Sequence, residues 1–137
     1  MGIDDIDFIL NLGDKTEELW VDEEIKFVFG EEELIKWVKS EDKLGYIFNL
    51  NDERIGFALL IIDEQMAEIV ACAIKEDKRG KGYGKYALKN ILDELEEKGI
   101  TAQMVYTGID NERAMEFYSE LGFKKGKKLI SMFRGLE

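Results

Sequence analysis

Residues 78–85 alternate glycines with basic side chains, in the order Lys-Arg-Gly-Lys-Gly-Tyr-Gly-Lys. The run follows an apolar segment and precedes a helical pattern, which indicates a loop that leads into a helix. Glycines allow the backbone N–H groups of such a loop to converge, and a helix N-terminus adds a partial positive charge. The run therefore predicts a binding site for an anion, most naturally a phosphate or a pyrophosphate.

The charge of the surrounding sequence favours this interpretation. Residues 75–89 hold six basic side chains and two acidic ones, although the whole chain has a formal net charge of −11. A solvated loop with lysines on a helix face is the alternative explanation. The acidic remainder of the chain should repel nucleic-acid phosphates, so nucleic acid is not an expected partner.

Two common phosphate-binding motifs do not fit these residues. A P-loop has four residues between its first glycine and its Gly-Lys pair, followed by Ser or Thr. Only three residues separate Gly80 from Gly84-Lys85, and Tyr86 follows. The dinucleotide fingerprint needs two residues between its second and third glycines, whereas Gly82 and Gly84 are separated by one. ATP and NAD are therefore poor candidates, and another pyrophosphate ligand is expected.

The chain has no histidine and one cysteine, Cys72. The lack of histidine excludes Ser-His-Asp and Cys-His catalysis and most zinc sites, so no metal is expected. Burial in a strand is the expected role of Cys72, because nothing obvious would activate its thiol. The single cysteine, the acidic N-terminus and the absence of a long apolar run together indicate a cytoplasmic protein with no membrane partner.

The hydrophobic pattern predicts one domain with the element order β-α-α-β-β-β-α-β-α-β-β. Strands are expected at residues 7–12, 46–50, 55–62, 66–74, 101–107, near 123 and at 129–134. Helices are expected at 14–20, 31–39, 82–98 and from 110 or 111 to 121. The turn at residues 51–53 should make a hairpin, and the crossover around the glycine run should be parallel. The expected fold class is α/β (α+β), with a mixed central sheet of about seven strands and helices on both faces.

Three segments of the sequence resemble those of one protein family. Arg79, Gly82 and Gly84 match the Arg/Gln-x-x-Gly-x-Gly/Ala signature of the GNAT superfamily of N-acetyltransferases. Residues 111–123 resemble its second motif, Asn-x-x-Ala-x-x-x-Tyr-x-x-x-Gly-Phe, and residues 67–74 resemble the core strand of its histone lysine acetyltransferase branch. The resemblance covers residues 66–123, and the N-terminal part shows no specific match.

The resemblance implies a fold in which two central strands, here residues 66–74 and 101–107, splay apart, usually at a bulge. The pantetheine arm of acetyl-CoA, the co-substrate, enters that gap as an extra strand. The resemblance also implies a single domain at 1–137, with an acceptor-side part at 1–50 and an acetyl-CoA-binding core at 51–137. The residues implied to bind the cofactor are Cys72, Ala73, Ile74, Arg79, Gly80, Lys81, Gly82, Tyr83, Gly84, Lys85, Asn111, Ala114 and Phe117.

Glu68 is the candidate general base that the resemblance implies. It is the only charged residue in the run 66–74, and an amine must lose a proton before it attacks a thioester. The alternative is a structural carboxylate, either paired with a buried cation or exposed at a strand end. Alternation along a regular strand would place Glu68, Val70, Cys72 and Ile74 on one face, unless a bulge shifts the phase.

Tyr118 is the candidate general acid that would protonate the departing thiolate, and an amphipathic core residue is the equally weighted alternative. The oxyanion would be held by a backbone N–H near Val70 or Cys72. A second basic cluster at residues 124–128 could reach the nucleotide, although a solvated hairpin explains it as well.

The expected activity is acetyl transfer from acetyl-CoA to a primary amine, which is a protein lysine, a protein N-terminus, a polyamine or another small amine. Residues 14–33 are rich in acids, which would steer a cationic acceptor to this part of the chain, although they could merely coat two helices. The expected partners are this amine acceptor, small molecule or protein, and a second copy of the chain as a candidate homodimer. A non-catalytic module that binds acetyl-CoA and regulates a partner is the alternative function.

Overall fold

A computed structural model of the chain describes residues 1–19, 26–132 and 134–135. The chain divides into two compact units, Met1–Tyr106 and Thr107–Glu137. The helices of the first unit are α1 (Ile6–Asp14), α2 (Glu31–Lys39) and α3 (Tyr83–Glu97), with short 3-10 turns at Ile3–Asp5, Glu17–Leu19 and Glu76–Lys78. Its strands are β1 (Lys43–Leu50), β2 (Glu53–Asp63), β3 (Met66–Ile74) and β4 (Ala102–Val105). The second unit contains α4 (Glu112–Glu120).

The four strands form one mixed sheet in the order β1-β2-β3-β4. The first two pairings are antiparallel, and β3 pairs with β4 in parallel. Asn51 and Asp52 both have positive φ, as a tight hairpin turn requires, so the expected hairpin between β1 and β2 is confirmed. The parallel connection through α3 is confirmed as well.

The centre of the sheet is buried on both faces, as the apolar run of β2 predicts. Phe57 and Leu59 pack into one cluster with residues of α1 and α2. Strand alternation then places Ala58 and Leu60, which are also fully buried, on the opposite face. Tyr46 pairs with Ala58, and its pKa is raised by burial and by the nearby Glu94 carboxylate of α3. Helix α3 therefore covers this second face.

The first predicted strand is wrong, because residues 7–12 lie in α1. Ile6, Ile9 and Leu12 recur at helical spacing, and all three side chains are buried in the cluster with α2. The expected helix at 14–20 is a 3-10 turn at Glu17–Leu19, and Trp20 lies outside the described residues. The helix expected at 31–39 is confirmed as α2.

The sheet has four strands within the described residues instead of about seven. Residues 123–132 contain no strand, so the two final predicted strands are not observed there, and Phe133 lies outside the described residues. A strand needs a partner for its backbone groups, and Leu129 and Ile130 are 68% and 89% exposed. The mixed α/β class itself is confirmed.

Candidate active site

One edge of β3 is open over its second half. The parallel pairing with β4 runs from Met66 opposite Ala102 to Ile69 opposite Val105, whereas β3 continues to Ile74. No described strand pairs with Val70–Ile74 on that side, although β2 pairs with the same residues on the other side. Backbone groups along such an edge can bind an extended ligand as if it were one more strand.

A β-bulge lies where this opening begins. Leu60 pairs with Ile69 and Leu59 pairs with Ala71, so Val70 is an extra residue in β3. Val70 and Ala71 both pack against the cluster of α1 and α2, as expected when a bulge directs two successive side chains to one face. The bulge that the resemblance implies is therefore present.

The bulge changes which side chains of β3 share a face. Glu68 pairs with Ile61, which packs towards α1 and α2 together with Val70. Cys72 pairs with Ala58 and therefore lies on the α3 face, opposite to Glu68. The expectation that regular alternation places Glu68, Cys72 and Ile74 on one face is therefore wrong, and the exception made for a bulge applies. Side chains of a strand alternate between the two faces of the sheet, so one inserted residue moves every later side chain to the opposite face.

Glu68 lies beside the start of the open edge. It pairs with Met104 of β4, one position before the last paired residues of the two strands. Its side chain is half-buried, on the face of the sheet that α1 and α2 cover. A carboxylate at this point is two residues before the first open residue, Val70, and is flanked along the strand by apolar residues of β3.

Cys72 lies within the open stretch, and burial raises the pKa of its thiol to about 12. The thiolate is the nucleophilic form of cysteine, so this thiol is protonated and unreactive at neutral pH. The surroundings of Cys72 therefore favour the structural interpretation of its side chain.

The glycine run forms the turn that leads into α3. Gly80 and Gly82 have φ values of 76° and 84°, a conformation that other residues rarely adopt. A Cβ at either position would meet no atom within 4 Å, so the backbone conformation and not crowding requires glycine. Gly82 is the N-cap of α3 and offers no side chain to the amides of the first turn.

The start of α3 is well suited to an anion. Its first turn contains no acidic residue, and the first intrahelical hydrogen bond runs from the Tyr86 N–H to the Gly82 carbonyl at 3.0 Å. The N–H groups before Tyr86 therefore have no acceptor within the helix, and the helix dipole favours negative charge beside them. The expected order of strand, amide-rich loop and helix is confirmed.

Several of the basic residues around this loop are paired. Lys75 and Lys78 each lie 3.6 Å from a carboxylate oxygen of Glu53, and Lys89 pairs with Asp93 at 2.7 Å. These are exposed ion pairs, which stabilise proteins little. These pairs reduce the local positive charge. The backbone amides therefore contribute more to the binding of an anion, and the lysine side chains less, than the number of lysines suggests.

Arg79 makes a contact that sequence reasoning missed. Its Nε–H donates a hydrogen bond of 2.9 Å to the carbonyl oxygen of Ile74, the last residue of β3. No spacing rule indicates a side-chain contact of this kind, because it depends on the shape of the intervening 3-10 turn.

The second unit contains the other candidate residues. The Asn111 side chain caps α4 by accepting a hydrogen bond of 3.0 Å from the Ala114 N–H, as the predicted cap requires. The rings of Phe117 and Phe123 both contact the half-buried ring of Tyr118 edge-on, with centroids 5.1 and 5.6 Å away. Asn111 and Tyr118 thus each have a structural role within this unit.

The described residues offer neither a metal site nor a membrane-spanning helix. No cluster of three or more carboxylates or cysteines there could hold a metal ion. No helix of the described ranges has the length and apolar character needed to cross a membrane.

An open strand edge followed by an amide-lined turn at a helix start is an arrangement that can bind an extended ligand and an anion in succession. This chain belongs to the Acetyltransferase (GNAT) family, whose sequence profile matches residues 12–123. The family resemblance is therefore confirmed, and the match extends into the N-terminal part for which no motif was recognised.

Individual relatives agree with the family. An uncharacterized N-acetyltransferase of Methanocaldococcus jannaschii is 26% identical over 98 residues, covering 66% of this chain and 43% of that protein. The [ribosomal protein bS18]-alanine N-acetyltransferase of Escherichia coli is 27% identical over 89 residues, covering 64% of this chain and 59% of that protein. The chain thus spans less than two thirds of the length of these curated relatives.

A solved structure shares the fold. The crystal structure of an N-acetyltransferase of Thermoplasma acidophilum in complex with coenzyme A has a TM-score of 0.78. It covers 90% of this chain and 86% of that chain at 22% sequence identity. At this identity the likeness shows the fold alone.

Proposed function

We propose that this chain transfers the acetyl group of acetyl-CoA to a primary amine. The observation that carries the proposal is the direct succession of the open edge at Val70–Ile74 and the amide-rich turn at residues 79–85. Such a succession offers strand-like hydrogen bonds and then an anion site, which matches a pantetheine arm that ends in a pyrophosphate. Membership of an acetyltransferase family supports this choice of ligand.

The residues of β3 and the turn fit this co-substrate. Backbone groups of Cys72, Ala73 and Ile74 would bind the pantetheine arm, and the amides of residues 80–85 would bind the pyrophosphate, since the Arg79 N–H already donates to the Glu76 carbonyl. Asn111, Ala114 and Phe117 of the second unit remain proposed contacts that rest on the family motif. Acetyl-CoA supplies an activated thioester, so the protein has to position it and manage protons.

Glu68 would accept the proton of the incoming amine, directly or through water. An amine of a lysine or polyamine is protonated at neutral pH and cannot attack until that proton is removed. Glu68 lies beside the start of the opening, where the carbonyl carbon of a bound thioester has to be reached by the acceptor. Tyr118 is the proposed donor of the proton that the thiolate takes up.

Val70 is the proposed oxyanion donor. The extra residue of a β-bulge does not take part in the regular ladder, so its N–H can point to a ligand. Val70 is that extra residue, and it is the first residue beyond the paired part of β3. A fixed N–H at this point would stabilise the negative charge that develops on the carbonyl oxygen.

The acceptor is proposed only as a class, a primary amine on a protein or a small molecule. The name of the Escherichia coli relative specifies an alanine of a ribosomal protein, which favours an N-terminal amine as one member of that class. The acidic character of the chain, with a formal net charge of −11, would attract cationic acceptors.

The test is an amine panel with acetyl-CoA and a free-thiol readout. Amine-dependent thiol release is expected for at least one class in the panel. Glu68→Gln should lower kcat by about 100-fold, because general-base catalysis contributes on this order, and should leave the Kd for acetyl-CoA unchanged. Glu97→Gln, an exposed substitution near the end of α3, is the matched control and should keep full activity.

Binding of acetyl-CoA without thiol release for any amine would instead favour the non-catalytic module. Loss of acetyl-CoA binding in Glu68→Gln would contradict the assigned role of the carboxylate, because a base is needed only for the chemical step.

A further inference from the structure

We propose that the Arg79 side chain is a positioning residue for the acetyl donor, which holds the glycine turn at the end of the open strand edge and does not itself bind phosphate. This inference rests on the proposed function and goes beyond the backbone role that the family signature assigns to this part of the loop. It starts from the hydrogen bond of 2.9 Å between the Arg79 Nε–H and the Ile74 carbonyl.

The five-residue connection between β3 and the glycines is closed into a compact turn. Its start is fixed because the Lys75 N–H donates to the Ile55 carbonyl of β2 at 2.8 Å. Its middle is a 3-10 turn in which the Lys78 and Arg79 N–H groups donate to the carbonyls of Lys75 and Glu76, at 2.9 and 3.3 Å. The Arg79 side chain then returns to Ile74, so the end of the turn is tied to the strand as well.

The glycines that follow have little to hold them. A Cβ at Gly80 or Gly82 would lie in open space, and both residues are exposed. Glycine also has more conformational freedom than any other residue, so an unsupported run of glycines would move. The position of this run is therefore determined by its two ends, which are the Arg79 contact and the first turn of α3.

The geometry of the arginine favours this role over direct phosphate binding. Its Nε–H is already used by a backbone carbonyl, and the residue is half-buried, whereas Lys81, which lies between Gly80 and Gly82, is exposed. Hydrogen bonds from a charged donor are stronger than those from a neutral donor, which suits a contact that must hold a glycine-rich segment in place. The same contact fixes the distance between the amides of the glycine turn and Ile74, the last open residue of β3. It therefore sets the spacing between the open strand edge and the anion site.

Three substitutions at Arg79 separate the hydrogen bond from the charge. Glutamine places a neutral N–H donor at the same number of bonds from Cα as the arginine Nε, and methionine places a methyl group there. Lysine keeps the charge but extends its ammonium one bond further. Lys75→Met is the matched control, because it removes a cation from the same turn without touching the Arg79 contact.

Three measurements are made on each variant, with thermal unfolding to confirm the fold. Isothermal titration with acetyl-CoA should show a Kd raised by about tenfold in Arg79→Met, and within about threefold of wild type in Arg79→Gln and Lys75→Met. Steady-state kinetics should show a higher KM for acetyl-CoA with kcat kept, because the proposed base on β3 is not displaced. Arg79→Lys should resemble methionine more than glutamine.

The third measurement needs no cofactor. Backbone 15N order parameters of Gly80 and Gly82 should fall from about 0.85 to below about 0.6 in Arg79→Met and stay high in Arg79→Gln. Equal affinity losses for methionine and glutamine, with unchanged order parameters, would overturn the proposal and assign Arg79 to direct charge contact.

If wild-type protein bound no acetyl-CoA, the proposed function would fail separately. The order parameters would then still decide whether Arg79 orders the turn: a loop that stayed rigid in Arg79→Met would refute the positioning role, and a loop that loosened would support it.

Discussion

The N-termini of α2 and α3 have the same cap and opposite electrostatics. Each helix follows a glycine N-cap, Gly30 or Gly82, that provides no side-chain hydrogen bond. The first turn of α2 contains Glu31, Glu32 and Glu33, whereas the first turn of α3 contains no acid. Carboxylates at a helix N-terminus neutralise its dipole and repel other anions. A glycine before a helix is therefore not sufficient for an anion site, and the missing acids at α3 are part of the signal.

The backbone of the two caps differs as well. Gly30 has φ −98° and ψ 178°, an extended conformation that alanine adopts freely, whereas Gly82 has φ 84°. Neither site is crowded, since a Cβ would meet nothing within 4 Å at either position. The contrast shows that only the cap of α3 needs glycine for its conformation.

The largest expected effect is that of alanine at these two caps. Both substitutions share the cost of an alanine N-cap, but Gly82→Ala adds about 1–2 kcal/mol of strain from the left-handed backbone. We expect Gly82→Ala to lower the free energy of unfolding by this extra amount and to weaken acetyl-CoA binding by at least about tenfold. Urea unfolding and calorimetric titration measure the two effects. Equal losses for Gly30→Ala and Gly82→Ala would remove the distinction between the caps.

A smaller effect is expected from exchanging charge between the two helix starts. Lys81→Glu places an acid beside the first turn of α3 and should weaken acetyl-CoA binding about fivefold at low salt, less at high salt. Glu32→Lys removes one acid from α2 and should lower stability by about 0.3–1 kcal/mol without changing that binding. Titrations at two salt concentrations check both expectations. A loss of affinity in Lys81→Glu that is the same at both salt concentrations would contradict an anion site at α3.

The last effect concerns β3, the strand that leads into α3 and contains Cys72. Burial raises the pKa of the Cys72 thiol from 9.0 to about 12. Between these values the unfolded chain releases this proton and the folded chain keeps it, so stability falls as pH rises through the window. Between pH 8 and about pH 10, the free energy of unfolding should fall less in Cys72→Ala than in wild type, and the difference should be on the order of 1 kcal/mol. Urea unfolding at several pH values measures the free energy of unfolding of both proteins. The same pH dependence in wild type and Cys72→Ala would show that this thiol is not buried in solution.

The sequence located β3, the glycine turn and α3 to within a residue or two, because each has a strong local signal. Residues 66–74 are apolar except for Glu68, the glycine run marks a turn at a helix start, and α3 has a long apolar stripe. The family motifs lie in this same part of the chain, so motif and periodicity agreed there.

The errors have a common cause, which is dependence on a partner element. Residues 7–12 satisfy a strand pattern and a helix pattern alike, and only packing of Ile9 and Leu12 on α2 selects the helix. The resemblance implies a bulge, but its position at Val70 is a property of the register between two strands, which no single strand contains. The Arg79 contact likewise depends on a turn whose shape follows from β2 and β3 together.

The most direct test of the central claim is amide hydrogen exchange of this protein with and without coenzyme A. If the open edge and the turn form one binding track, coenzyme A should protect the amides of Val70–Ile74 and of residues 80–85, and should leave the first turn of α2 unchanged. Tight binding with protection confined to other parts of the chain, or no binding at all, would contradict it.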